Sequence, residues 1–276
     1  MIHITTQGKK VPALGYGTWN LRGKDCVSGV EKALEIGYRH IDTAQIYENE
    51  AEVGDGIKAS GLKRNDIFLT TKIWIENLRD GDLQKSLDVS LKKLKVDHVD
   101  LLLLHWPITD IPFAEQLKAL QAVQKEGKTT SIGVSNYTIA QMKEVSGKIG
   151  AKILNNQVEY HPYLSQKPLL DYVRAHDTFL TAYCPLARGK VNDDAVITKI
   201  AKKHGKTAGQ ITLRWLVQQD RVAAIPKSGS EKHIRENFEI FDFKLDDTEM
   251  KEISALARPD GRIVNPPFAP KWDRAA

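Results

Sequence analysis

Eight short apolar runs, separated by stretches with apolar residues at every third or fourth position, constrain this chain more than any other feature. The runs are Leu14 to Gly17, Tyr38 to Ile41, Ile67 to Thr71, Val99 to Leu104, Ser131 to Val134, Leu154 to Val158, Phe179 to Ala182 and Val222 to Ile225. Continuous apolar character, rather than alternation, belongs to strands buried on both faces, as in parallel sheets covered by helices. The intervening segments supply those helices: Leu83, Leu87, Leu91 and Leu94 recur with helical spacing after the turn Asp80-Gly81-Asp82. Eight strand-helix units in 276 residues, with no Pro/Gly/Ser-rich linker dividing them, predict an α/β fold. The expected form is one domain over residues 1–276, a (β/α)8 TIM barrel; a doubly wound sheet is the alternative. Residues 2 to 13 alternate around Gln7-Gly8-Lys9-Lys10 and predict an N-terminal β-hairpin ahead of the first barrel strand.

Several function classes drop out. Gly15-Tyr16-Gly17-Thr18-Trp19-Asn20 lacks the third glycine of a dinucleotide fingerprint, and the near-match from Gly54 to Ala59 follows a helical pattern instead of a strand. Gly127-Lys128-Thr129 and Gly205-Lys206-Thr207 look like phosphate loops, but Ala122 and Ile200 stand where the upstream glycine is required. The formal net charge of +5 is spread: Lys92, Lys93 and Lys95 alternate with acids such as Asp97 and Asp100, the pattern of a solvated face rather than a nucleic-acid surface. Cys26 and Cys184 match no metal-ligand spacing, and no apolar run approaches a membrane span or a signal peptide. The expectation is a cytoplasmic monomer with reduced thiols that acts on small molecules.

In a (β/α)8 barrel the C-terminal ends of the strands converge on one face and carry the chemistry. Asp42 stands at the end of the second run, Lys72 at the end of the third and His105 at the end of the fourth. They are 30 and 33 residues apart, about one strand-helix unit each. Tyr47 follows Asp42 on the connection to the next helix, a place that favours function over packing. A phenol of ordinary pKa near 10 exchanges protons poorly at neutral pH unless its anion is stabilised. An ammonium about 4 Å away, at an effective dielectric near 20, supplies on the order of 4 kcal/mol, which predicts a lowered Tyr47 pKa. Asp42 would keep Lys72 charged, and His105 would orient a carbonyl or hydroxyl oxygen.

Later strand ends suit a cofactor. Ser135, Asn136 and Gln157 offer the donors and acceptors that a carboxamide needs, and Tyr183 offers a flat ring face. Pro226-Lys227-Ser228 follows the eighth run and leads into a helix near Glu231, a place where barrels hold phosphate; Ser230 reads equally as a plain helix cap.

Leu14-Gly15-Tyr16-Gly17-Thr18-Trp19, Gly37-Tyr38-Arg39-His40-Ile41-Asp42-Thr43-Ala44, Leu104-His105-Trp106-Pro107, Gly133-Val134-Ser135-Asn136 and Ile225-Pro226-Lys227-Ser228 together resemble the aldo-keto reductase family. Within it the likeness is to the bacterial 2,5-diketo-D-gluconate reductase type, over nearly the whole chain. The resemblance implies NADP(H) held without a Rossmann fold and a tetrad of Asp42, Tyr47, Lys72 and His105. Tyr47 would protonate the carbonyl oxygen of an aldehyde, α-dicarbonyl or keto sugar as hydride reaches the carbon. It also implies that Ser135, Asn136 and Gln157 bind the carboxamide, that Tyr183 stacks on the nicotinamide, and that Lys227 and Ser228 hold the 2′-phosphate. Pro185, Leu186, Pro226, Glu236 and Asn237 complete the cofactor set, and Trp19, Trp74 and Trp106 fall in the substrate pocket. His233 occupies a position where many members carry an arginine, which predicts that NADPH is preferred but NAD(H) is also used. Two other functions remain open: a cofactor-binding regulatory or structural barrel, and an aldolase or isomerase with Lys72 as a Schiff-base lysine. The Pro-rich tail from Asn265 to Trp272 either closes the pocket with Phe268 or Trp272 or packs on the outside of the barrel.

Overall fold

The structure, a computed structural model, describes residues 1–273. It opens with the expected hairpin, β1 (His3–Thr6) paired antiparallel with β2 (Lys9–Pro12). Gln7 and Gly8 both take positive φ, the backbone that a two-residue hairpin turn demands. The hairpin tip is tied to the far half of the chain: Thr6 donates to the Asp177 carbonyl, and the Gln7 side chain donates to the Ile153 carbonyl.

Eight parallel strands follow in chain order: β3 (Tyr16–Gly17), β4 (His40–Asp42), β5 (Phe68–Ile73), β6 (Val99–Leu104), β7 (Thr129–Ser135), β8 (Ile153–Glu159), β9 (Phe179–Tyr183) and β10 (Val222–Ala224). Each pairs with its sequence neighbours. Closure comes from a parallel bridge between Leu14 and Ala224, where Gly15 N–H donates to Ala224 O at 2.9 Å and Ala224 N–H donates to Ala13 O at 2.8 Å. The (β/α)8 expectation therefore holds.

Helices wrap the outside. The helix Asp82–Leu94 places Leu83, Leu87, Leu91 and Leu94 against the barrel, each burial stabilising by about 1.5–3 kcal/mol. No described helix is long and apolar enough to cross a membrane. Strand bounds shift by one or two residues from expectation everywhere except Val99–Leu104, so that Lys72 lies inside β5 rather than at its end, and for two strands the structure shows what replaces the pairing. The second is His40–Asp42, not Tyr38–Ile41, because Tyr38 leaves the sheet: its hydroxyl donates to Ile234 O and its ring packs on Phe238. The first pairs only over Tyr16–Gly17, with Leu14 confined to the closing bridge.

Candidate active site

The C-terminal strand ends frame a cleft of about 740 Å³. Strand pairing sets Asp42 beside Thr70 and Lys72 beside Leu103, so the polar residues of β4 and β5 project near the point where β6 hands over to His105. Asp42 and Lys72 are buried, with side chains 1 % and 0 % exposed. Lys72 Nζ donates to Asp42 Oδ1 at 2.5 Å, to Thr43 O at 2.7 Å and to Tyr47 Oη at 3.4 Å. Tyr47 closes a 3₁₀ turn, Gln45–Tyr47, after which Glu48 takes a left-handed backbone and the helix Glu50–Ala59 begins. The turn itself is fixed by Gln45, whose side-chain oxygen accepts from Trp74 N–H. His105 faces Tyr47 with ring centroids 5.8 Å apart. The structure thus brings Asp42, Tyr47, Lys72 and His105 together.

The proton affinities depart from the expected lowering of the Tyr47 pKa. Burial, followed by the Asp42 carboxylate, pushes the Tyr47 phenol well above its ordinary value. The ammonium beside it is largely compensated by Asp42, so desolvation wins. Burial pulls Lys72 below its usual value while Asp42 opposes the fall. His105 lies well below the ordinary imidazole value, through burial first and the Lys72 charge second, and is a neutral ring at neutral pH. Its Nδ1 is buried with no hydrogen-bond partner among the described residues.

The candidate cofactor residues divide. Asn136, Gln157, Tyr183, Pro185, Leu186, Pro226 and Lys227 line the same cleft as Asp42, Tyr47 and His105, together with Trp19, Trp74 and Trp106; Lys72 is buried behind that lining. Tyr183, Asn136, Ser135 and Gln157 form one chain of hydrogen bonds that ends on Asp42. Tyr183 Oη donates to Asn136 Oδ1 at 2.8 Å, Asn136 Nδ2 donates to Ser135 Oγ at 3.1 Å, and Ser135 Oγ donates to Gln157 O at 2.8 Å. Gln157 Nε2 then donates to Asp42 Oδ2 at 2.7 Å. Gln157 lies inside β8 rather than at its end. Ser135, Ser228, His233, Glu236 and Asn237 are not among the residues that line the cleft. His233 is exposed on the helix Glu231–Phe238, Glu236 pairs with Lys232 at 3.7 Å, and Asn237 is buried. Ser230 does not cap that helix with its side chain; Ser228 Oγ instead accepts from Ser230 N–H.

A dinucleotide fits the cleft on three counts. The lining includes the side-chain amides of Asn136 and Gln157, groups of the kind that pair with a carboxamide, the Tyr183 ring and the Lys227 cation. Gly17 also lines the cleft, and the Ile225 backbone passes it so closely that a Cβ there would stand 2.8 Å from Ile225 O. The tail lies over the mouth: Phe268 packs edge-on against Trp74 at 6.0 Å and Trp106 at 5.4 Å, with Trp272 behind Trp106 at 6.2 Å. Ile46, Cys184, Arg188, Ile263 and Val264 also line the cleft. Sequence reading missed them because no spacing marks them; only the Pro-rich tail hinted at a wall beyond the eight units.

Comparison with known proteins agrees with this geometry. The model for the aldo/keto reductase family matches residues 13–258. The chain is 42% identical to methylglyoxal reductase DkgB of Escherichia coli O157:H7, over 95% of this chain and 99% of that one. It is 40% identical to the glyoxal reductase of Bacillus subtilis strain 168, over 94% of each. A crystal structure whose assignment as a 2,5-diketo-D-gluconic acid reductase B is provisional superposes with a TM-score of 0.96 at 50% identity, covering 99% of this chain and 98% of that one. A Gox0644 point mutant in complex with NADPH superposes with a TM-score of 0.90 at 33% identity, covering 98% and 99%. A closed eight-stranded barrel, a tyrosine, lysine, aspartate and histidine gathered at one end of it, and this degree of identity along the chain converge: the protein belongs to the aldo/keto reductase family.

Proposed function

We propose that this chain is an NADP(H)-dependent reductase of small carbonyl compounds, aldehydes and α-dicarbonyls above all, in which Tyr47 is the general acid. The observation that carries the reading is the single ammonium of Lys72 shared among Asp42, Thr43 O and Tyr47 Oη inside a buried site. Tyr47 holds its proton firmly in the resting site because burial and Asp42 disfavour the phenolate. As negative charge develops on a carbonyl oxygen, that proton moves to it, and Lys72 stabilises the phenolate left behind. His105, neutral and beside Tyr47, serves as a second hydrogen-bonding group that orients the same oxygen. Bound NADP(H) supplies the hydride. Asn136, Gln157 and Ser135 are the carboxamide partners in this reading, with Tyr183 beneath the ring and Lys227 and Ser228 toward the phosphate. The NADPH complex of a relative with the same fold supports that choice.

Cofactor selectivity follows from the outer end. Lys227 and Ser228 favour NADPH, while His233 lacks the bidentate charge contact of an arginine, so NADH is also accepted. Names of the relatives support the substrate class: methylglyoxal, glyoxal and 2,5-diketo-D-gluconic acid are α-dicarbonyl or keto compounds. A Schiff-base role for Lys72 is disfavoured because three oxygen acceptors, one of them the Asp42 carboxylate, surround Nζ and favour the protonated amine, which has no lone pair with which to attack a carbonyl. Replacing Tyr47 with Phe tests the assignment. The expected result is a fall in kcat of at least about a hundredfold with the NADPH Kd unchanged. Near-normal turnover removes Tyr47 from the acid role, and cofactor binding without turnover in the unaltered protein favours a regulatory barrel.

A further inference from the structure

After helix Asp247–Ser254 the described residues have no helix or strand, yet they supply Ile263, Val264, Asn265, Pro266 and Phe268 to the wall of the cleft. Between Gly261 and Pro270, among the described residues, the tail N–H groups bonded to the barrel are those of Ile263 and Val264. Both end on one side chain. Ile263 N–H donates to Glu159 Oε1 at 2.7 Å and Val264 N–H donates to Glu159 Oε2 at 2.8 Å. Glu159 is fully buried at the end of β8, two residues beyond Gln157 and so on the same face of the strand. Its Oε1 also accepts from His161 Nε2 at 2.8 Å, and the Arg262 guanidinium stands 3.8 Å from Oε2 and 3.6 Å above the Trp272 ring. With both oxygens used as acceptors, Glu159 works as a carboxylate clasp.

We infer that Glu159 is a positioning residue for substrate selection: it clamps two consecutive tail amides so that Phe268 stands against Trp74 and Trp106, and it touches neither substrate nor cofactor. A buried carboxylate with charge-assisted bonds to backbone N–H is a stiffer tether than apolar contact alone, because losing one partner leaves a buried charge or a buried N–H unpaired. The geometry separates two tasks. Proton transfer depends on β4 to β6, and the outer wall of the pocket depends on this clasp. Carbonyls with a bulky aromatic substituent reach that wall, whereas glyoxal does not require it.

The kinetic arm of the test rests on the reductase reading given above; the exchange arm does not. In Glu159→Gln the side-chain amide presents N–H to a tail N–H and breaks the clasp while keeping the volume. The expected result is that the Ile263 and Val264 amides exchange with deuterium at least about tenfold faster, with barrel-strand amides unchanged. For phenylglyoxal KM rises about tenfold, for glyoxal less than about threefold, and kcat and the NADPH Kd hold within about twofold. Phe268→Ala reproduces the KM pattern, and Glu159→Gln combined with Phe268→Ala adds nothing further, because the clasp acts through that ring. If Glu159→Gln fails to fold, Glu159→Asp withdraws the carboxylate from the tail amides by one methylene without altering a residue that lines the cleft, and faster exchange at Ile263 and Val264 with the same KM pattern is expected. Unchanged exchange, KM effects that multiply in the double variant, or a parallel loss of kcat and NADPH affinity would overturn the inference. Absence of turnover in the unaltered protein would instead overturn the reductase reading and leave the exchange result to decide the clasp.

Discussion

Removing the Lys72 ammonium, as in Lys72→Met, separates what this residue does for the fold from what it does for the chemistry. Nζ is 3.4 Å from Tyr47 Oη. At an effective dielectric near 20, a full negative charge on that oxygen is favoured by roughly 5 kcal/mol, a ceiling of more than a thousandfold in rate. Asp42 at 2.5 Å from the same nitrogen offsets part of that, so kcat is expected to fall about 100- to 1,000-fold. Stability falls too. The variant leaves the Asp42 carboxylate buried with Gln157 Nε2 as its remaining side-chain partner, at a cost of about 3–5 kcal/mol and a Tm drop on the order of 10 °C. Adding Asp42→Asn removes the stranded charge. Thermal melts should therefore recover in the double variant while turnover, followed by nicotinamide absorbance, stays low. A Lys72→Met enzyme within about tenfold of normal kcat, or a double variant that recovers both quantities, would refute the role given to this pair.

Two further outcomes follow from the outer site and from the buried imidazoles. The ratio of kcat/KM for NADPH over NADH should stay below about a thousandfold and should rise about tenfold or more in His233→Arg; a larger starting ratio removes His233 as the cause. His40 and His105 are both held below the ordinary imidazole value by burial, so below a pH of about 6.5 the unfolded chain binds protons that the folded chain refuses. Stability is therefore expected to fall as pH drops below that point, each histidine contributing a limiting slope of about 1.4 kcal/mol per pH unit. Burial raises the Glu50 carboxyl and acts in the opposite sense. The measurement is consequently a comparison of urea melts with His105→Asn, whose slope should be smaller; equal slopes would count against the neutral ring.

The fold was legible because strands buried on both faces have no polar side to interrupt them. Leu101 to Leu104 reads as a strand for that reason, and His105, the first polar residue after it, reads as site for the same one. Asp42 and Lys72 were legible by the same logic. The Tyr47 proton affinity was not, because burial outweighs the nearby ammonium and a sequence shows neither the depth of the site nor how far Asp42 offsets the Lys72 charge. The internal pairing of Gln157 with Asp42 spans 115 residues and has no local signature. Nor does Glu159, which a sequence reader meets as one more acid near a His-Pro turn and which takes its meaning from amides 104 and 105 residues away.

The bridge from Leu14 to Ala224 has a kinetic meaning. The two residues are about 210 positions apart, and bringing such distant segments together costs on the order of 5 kcal/mol of chain entropy before any contact compensates for it. During synthesis the edge at Leu14 to Gly17 emerges first and waits for β10, exposing unpaired backbone groups through most of elongation. The hairpin waits as well, since Asp177 and Ile153 must be in place before its tip can dock. Ring closure is thus a late event that joins the oldest and youngest parts of the barrel, and Gly17 and Lys227 become two sides of one cleft only when it is complete.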